Sequence, residues 1–324
     1  MPSPNSVFTE MVSTTMRKHH KKVVDNVTKH NGALTLMRER GNIKTDTSGG
    51  YEIAIPLSYA ENATYQRYSG YDTLNVASSD VLSAAKYDWS QVALHVTASG
   101  RELRMNNSEQ KMIDLVKART DVAMATAANN MSVDMYSDGA LTNQIGGFAH
   151  LITADGTGTK GGINAGTYTF WKNKFNEIAA GGGTAITYAN LRLAMNAEWI
   201  AQNRGADKPD LLIFSHDIYT IFEGGLQDLQ RYADARMGDL GFEALKYKSA
   251  SIIFDDNTNY GTTAELGYFL NTKYLYLTEH PDAKWTEDDE KVPTNQDAVL
   301  VPIYWMGAVC ASNLALQGRI HDLT

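Results

Sequence analysis

Six places in the sequence hold residue types that could do chemistry. Gly156-Thr157-Gly158-Thr159-Lys160-Gly161 has the glycines and the lysine of a phosphate-binding loop, in which backbone N–H groups and an ammonium hold phosphate oxygens. The G-x-x-x-x-G-K-[ST] spacing is not met, because Gly161 follows Lys160 where a hydroxyl residue should reach the metal. Ser215-His216-Asp217 contains all the residue types of a nucleophilic triad, but consecutive side chains point to different faces and cannot relay a proton among themselves. Ser215 or Asp217 reads better as a helix cap. His19, His20 and His30 sit among Lys18, Lys21, Lys22 and Lys29, whose charge opposes metal capture. Asp255-Asp256 and Glu287-Asp288-Asp289-Glu290 are acidic, yet neither has the alternating oxygen ligands and closing glutamate of a calcium loop. Cys310 is the only cysteine, which excludes an internal disulfide and falls short of a zinc site; its apolar surroundings, Val301 to Ala311, assign it to a core. No nucleophile, base or metal constellation emerges, so neither enzymatic activity nor a cofactor nor a metal is expected.

The elements around these residues read as α+β. Tyr51 to Leu57 alternates in polarity, as does Trp89 to Val96, and both are expected to be half-buried strands that pair with each other. Nearly thirty residues rich in Ser, Tyr, Asn, Ala and Asp lie between them, making a long β-arm whose Tyr59, Tyr65, Tyr68 and Tyr71 are candidate contacts to another subunit. Tyrosine suits such a place because a large apolar ring carries a polar tip. A long helix is expected over 108–138, capped by Asn107 or Ser108, with Met112, Leu115, Val116, Val122, Ala123, Thr126, Ala127, Met131 and Met135 as its packing face. A second helix is expected over 187–204, with Thr187 as cap and Gly205 as stop. Leu211 to Phe214, Ser251 to Phe254, Leu266 to Leu270, Tyr274 to Leu277 and Ala298 to Ala311 read as strands, the last with bends at Pro302 and Gly307. Residues 1–48 are of mixed polarity and are expected to form an arm with one short helix near Val23, Val24 and Val27, stopped at Asn31-Gly32, lying on neighbours.

The chain of 324 residues is 43% hydrophobic and 20% charged, an ordinary globular balance with enough length for about two domains. No apolar run is long enough to span a membrane and no signal pattern opens the chain, so it is expected to act in a cytoplasm with no membrane partner. The net charge of −8 is uneven: residues 1–44 hold Arg17, Lys18, Lys21, Lys22, Lys29, Arg38, Arg40 and Lys44 against only Glu10, Asp25 and Glu39. A basic arm on an acidic body points to a partner of its own for the arm, with Arg17, Lys18, Lys21 and Lys22 as candidate contacts. The acidic body argues against a dedicated DNA-binding protein.

The order of motifs in the second half resembles that of tailed-bacteriophage major capsid proteins. Lys208-Pro209-Asp210-Leu211-Leu212-Ile213-Phe214 leads through a polar turn to Asp217-Ile218-Tyr219; Leu245 to Asp256 is similar to their next strand with its terminal acid pair. Gly267-Tyr268-Phe269-Leu270-Asn271-Thr272-Lys273-Tyr274-Leu275 and Val301-Pro302-Ile303-Tyr304-Trp305-Met306-Gly307, followed by Ser312-Asn313, complete the series. The resemblance implies the Hong Kong 97 fold: an N-terminal arm (1–50), an extended β-hairpin or E-loop (51–98), a peripheral domain (99–186) with a spine helix, an axial domain (187–297), and a strand (298–324) closing the peripheral domain. It implies self-assembly as hexamers and pentamers into an icosahedral shell around phage double-stranded DNA, with a portal protein as partner and room for a decoration protein and non-specific DNA contact. About fifty residues precede the E-loop, too few for a fused scaffold, so a separate scaffolding protein is expected. No lysine, asparagine and acid can be assigned to covalent cross-linking, and none is expected. An encapsulin-like nanocompartment shell is the alternative that shares the fold.

Overall fold

A computed structural model of the chain describes residues 32–46, 50–105, 115–178, 186–225, 245–255, 265–289 and 291–322. Uninterrupted apolar runs dictate its centre. Strands β8 (Leu211–Phe214), β11 (Leu266–Leu270) and β14 (Gly318–His321) are buried at every position. A strand shielded on both faces has no reason to alternate in polarity. They belong to a six-stranded mixed sheet with the order β7-β14-β11-β8-β10-β9, completed by β7 (Lys174–Glu177), β9 (Leu245–Tyr247) and β10 (Ala250–Phe254).

One face of this sheet carries two helices. Helix α5 (Tyr188–Gln202) begins where expected, with the Thr187 hydroxyl accepting from the Asn190 N–H at 3.3 Å. It buries Leu191, Ala194, Met195 and Trp199, the face read from the sequence, against Leu212, Phe214, Phe269 and Ile320. Helix α6 (His216–Gly225) adds Ile218, Tyr219 and Phe222 to the same cluster. The opposite face, through Leu211, Ile213, Ile253, Tyr268 and Leu270, belongs to a second and larger core.

That second core also covers a four-stranded sheet of order β1-β12-β13-β4, built from β1 (Ile43–Thr45), β12 (Leu275–Glu287), β13 (Ala298–Ala311) and β4 (Ser90–Ser99). Strand β13 has the bounds the sequence predicts, but its expected bends do not occur against β4. The pairing runs without a shift from Ala298↔Ser99 to Gly307↔Ser90, with Pro302 opposite His95. The irregularity lies in β12, whose register against β13 slips between Glu279 and Lys284 and again before Thr286. Gly307 answers instead to a close approach: a Cβ there would stand 2.4 Å from the Thr278 carbonyl oxygen.

The helices beside this core depart from the sequence reading in two ways. Gly32 opens helix α1 (Gly32–Glu39) where a helix stop was expected, and Ala33, Leu34, Leu36 and Met37 are buried. This part of the arm therefore packs on its own chain, because its apolar side chains are covered there; the short helix expected near Val23 lies outside the described residues. After the short helix α2 (Gly100–Met105), helix α3 (Leu115–Met135) supplies 21 residues, about 32 Å, of the expected long helix. Its start at Asn107 or Ser108 lies outside the described residues. Ala127, Met131 and Met135 in its second half are buried, whereas Val122 is exposed. A one-turn helix, α4 (Phe148–Leu151), follows and buries Phe148 and Leu151.

The strands also cross the expected domain boundaries. β7 and β14 join the six-stranded sheet, while β12 joins the four-stranded one. These pairings are non-local in sequence, so a linear division of the chain does not anticipate them.

Candidate assembly interface

The expected β-arm is present, with a different partner strand. β2 (Glu52–Ser58) pairs antiparallel with β3 (Leu82–Asp88), from Glu52↔Asp88 to Ser58↔Leu82, in a two-stranded sheet of their own. Trp89 to Val96 does not pair with β2; after Asp88 the chain passes into β4 and the four-stranded sheet. The reason is visible in the residues. β3 offers only Ala85 and Tyr87 to the core and has little alternation to betray it, whereas β4 has the stronger pattern.

At its root the arm is well held. Ile53, Ala85 and Tyr87 enter the larger core. The Tyr87 hydroxyl donates to the Ala311 carbonyl at 2.8 Å and accepts from the Ala311 N–H at 3.2 Å. Burial raises its pKa far above the usual phenol range. Glu52 and Lys86 form an ion pair across the two strands.

The tip is built differently. Between β2 and β3 the backbone is tied by polar side chains: Asp72 Oδ2 accepts from the Ser69 N–H at 2.7 Å, Gln66 Nε2 donates to the Thr73 carbonyl at 3.0 Å, and Gln66 Oε1 accepts from the Asn75 N–H at 3.1 Å. Such side-chain bonds replace a strand ladder. They hold out large apolar groups that the described residues do not cover. Tyr65 is 84% exposed, Tyr68 65%, and Tyr71 is fully exposed. Leu74 and Val76 are exposed too, and the sequence reading missed them because no periodicity marks them; at the root, Tyr51 is exposed just before β2.

Tyr59 differs from the other candidate tyrosines. It is partly covered, with its ring 5.8 Å from Phe170, and desolvation together with the Asp80 carboxylate raises its pKa. Arg17, Lys18, Lys21 and Lys22 lie outside the described residues.

The residues that could have done chemistry are placed for structure. Lys160, on the short strand β5 (Thr159–Lys160), is buried with Nζ 3.0 Å from Thr153 Oγ1 and 2.5 Å from Asn173 Oδ1, so it does not face a phosphate. Ser215 is buried while His216 and Asp217 are exposed on α6. Asp255 is buried and accepts from the Tyr136 hydroxyl at 2.8 Å and from the Ala33 N–H at 3.2 Å, joining α1 to β10. Asp288 pairs with Lys291. Cys310 is buried and its thiol is pushed up to about 12 by desolvation, which keeps it unreactive. Among the described residues no group of three or more His, Cys, Asp and Glu could hold a metal ion, and no helix is long and apolar enough to cross a membrane.

Solved structures place this architecture. The capsid asymmetric unit of cyanophage A-1(L) superposes with a TM-score of 0.68 at 16% identity, covering 96% of this chain and 98% of that one. The fold is that of a phage capsid subunit. The capsid fold recurs in cyanophage P-SCSP1u, with a TM-score of 0.60 at 12% identity over 100% of this chain and 99% of that one. It also recurs in the holo-SrpI encapsulin complex of Synechococcus elongatus PCC 7942, with a TM-score of 0.57 at 6% identity over 93% and 91%. No family model and no curated relative matches the sequence.

Proposed function

We propose that this chain is the major capsid protein of a tailed bacteriophage, a shell-building protein with no catalytic role. It assembles as hexamers and pentamers into an icosahedral shell around double-stranded DNA. One observation carries the reading: the capsid fold matches over 96% of the chain, which extends an arm whose tip displays Tyr65, Tyr68 and Tyr71 to solvent. A subunit that keeps such rings uncovered needs a neighbour to cover them. Head-to-tail contacts of this kind close into rings when the rotation permits, and many weak contacts per subunit add up to a stable shell.

The four-stranded sheet with α3 then serves as the peripheral domain, and the six-stranded sheet with α5 and α6 as the axial domain. Arg17, Lys18, Lys21 and Lys22 meet acidic neighbour surface, scaffold, or packaged DNA. A separate scaffolding protein and a portal protein complete the assembly set, which forms in the host cytoplasm, and the outer surface can take a decoration protein.

The test is expression followed by negative-stain electron microscopy, for the full chain and for a variant in which residues 60–80 are replaced by a short Gly-Ser turn. Shells, rings or tubes from the full chain, lost in the variant, are the expected result. Normal shells from the variant would remove the arm from the assembly mechanism, and a full chain that stays monomeric with and without scaffold would end the capsid reading.

The match to the encapsulin supports a second reading, a nanocompartment shell. Purified shells decide between them: a co-purifying protein cargo selects the nanocompartment, and packaged DNA selects the phage capsid.

A further inference from the structure

Among the described residues the β2–β3 sheet pairs with no other sheet, so its direction depends on a few contacts at its root. On one side Tyr87 is fixed to Ala311, where β13 ends. On the other side lies a compact segment, residues 153–173. The Lys86 N–H donates to the Gly161 carbonyl at 2.9 Å. Gly161 has φ +56°, and a Cβ there would stand 2.9 Å from Tyr87 Cζ and 3.2 Å from Ala85 Cβ, so both its backbone conformation and the contact demand glycine. Further along the arm, Tyr59 rests on Phe170 of the same segment.

This segment is itself tied from within. Trp171 Nε1 donates to the Lys160 carbonyl at 2.8 Å, and Asn173 Nδ2 donates to the Thr153 carbonyl at 2.9 Å. Lys160, only 1% exposed, reaches between Thr153 and Asn173 and joins the two ends of the segment. Both partners are neutral, and desolvation lowers the lysine's pKa to about 8. An apolar residue of the same length would avoid that cost of burial, so the gain from Lys160 lies in geometry.

We infer that residues 153–173 form a cradle that sets the angle at which the β-arm leaves the body, with Tyr87 and Gly161 as positioning residues and Lys160 holding the cradle in shape. In a shell that angle decides where the tip meets its neighbour, and hence the curvature that the subunits share. The inference rests on the capsid reading for that last consequence; the fixing of the arm itself does not.

Two variants test it, Tyr87→Phe, which removes only the bonds to Ala311, and Lys160→Met, which leaves Tyr87 and Gly161 in place. Hydrogen exchange on the unassembled subunit reads the arm, and the diameter distribution of assembled shells reads the consequence. Each variant loses two hydrogen bonds, and exchange in 52–58 and 82–88 is expected to rise at least about tenfold, while β8 and β11 keep their protection. Shells of more than one diameter, or tubes, are expected beside it. Unchanged exchange in the arm of both variants overturns the inference. So does an equal rise in β8 and β11, which would make the cluster general core packing. Should the wild-type chain not assemble, the capsid reading fails while the exchange data still decide whether the cradle fixes the arm.

Discussion

The six-stranded sheet and the β-arm are both made of β-strands, and they are held by opposite means. β8, β11 and β14 are buried along their whole length, between α5 and α6 on one face and the larger core on the other. The arm is two strands wide and becomes more exposed from root to tip, from buried Tyr87 to fully exposed Tyr71. An isolated two-stranded hairpin is marginal in water. The sheet thus derives its stability from within the subunit, and the arm derives its own from its root and, in the assembly proposed above, from other subunits. Substitutions in the first region should act on folding, and those at the arm's tip on association.

The largest effect expected from this contrast is at Phe214. It is fully buried, and its ring lies 6.2 Å from both Phe222 and Phe269. Phe214→Ala should cost about 3–5 kcal/mol of stability in chemical denaturation. A loss below 1 kcal/mol would show that the sheet is not the self-sufficient part.

A second effect is pH-dependent and belongs to the same sheet. Glu198 on α5 is 1% exposed and lies against β14, with Gln202 Nε2 donating to Oε1 at 2.6 Å. A Cβ on Gly318 would stand 1.9 Å from that oxygen, so β14 approaches the pair through a glycine. Desolvation raises the Glu198 pKa to about 7. Between the ordinary carboxylate range and pH 7 the folded protein therefore holds a proton that the unfolded chain has released. Stability falls as pH rises through this window and levels off above it. Glu198→Gln should remove that fall and leave the variant more stable than wild type at pH 8, by about 2–3 kcal/mol at most. Parallel stability–pH curves for the two proteins would contradict the assignment.

The smallest effect on folding should come from the tip. The double substitution Tyr65→Ala and Tyr71→Ala should shift stability by less than about 0.5 kcal/mol, since both rings are solvent-exposed, while reducing shell yield several-fold. A clear drop in thermal stability of the unassembled subunit would mean that the tip packs on its own body.

The same contrast explains what was legible in the sequence. Leu211 to Phe214 and Leu266 to Leu270 announced themselves as unbroken apolar runs, and Thr187 announced its helix through its capping side chain. β3 did not, because Ser83, Ala84 and Lys86 carry no strand pattern and pairing with β2 supplies what the sequence lacks. β7 and β14 were equally hidden: Lys174–Glu177 is largely polar, and Gly318–His321 brings Arg319 and His321 into the sheet. The tyrosines of the arm could be picked out by type, whereas their exposure depends on where the hairpin points. Lys160 was legible only as part of a failed phosphate motif, since the partners that explain it, Thr153 and Asn173, are brought to it by the fold.

The strand order has a consequence for synthesis. β14, residues 318–321, lies between β7 and β11, so the interior of the six-stranded sheet keeps an empty lane until a ribosome has produced at least 321 residues. At about 5–20 residues per second, that leaves the nascent chain without its finished sheet for many seconds. A subunit that cannot complete its body early cannot present a finished surface early.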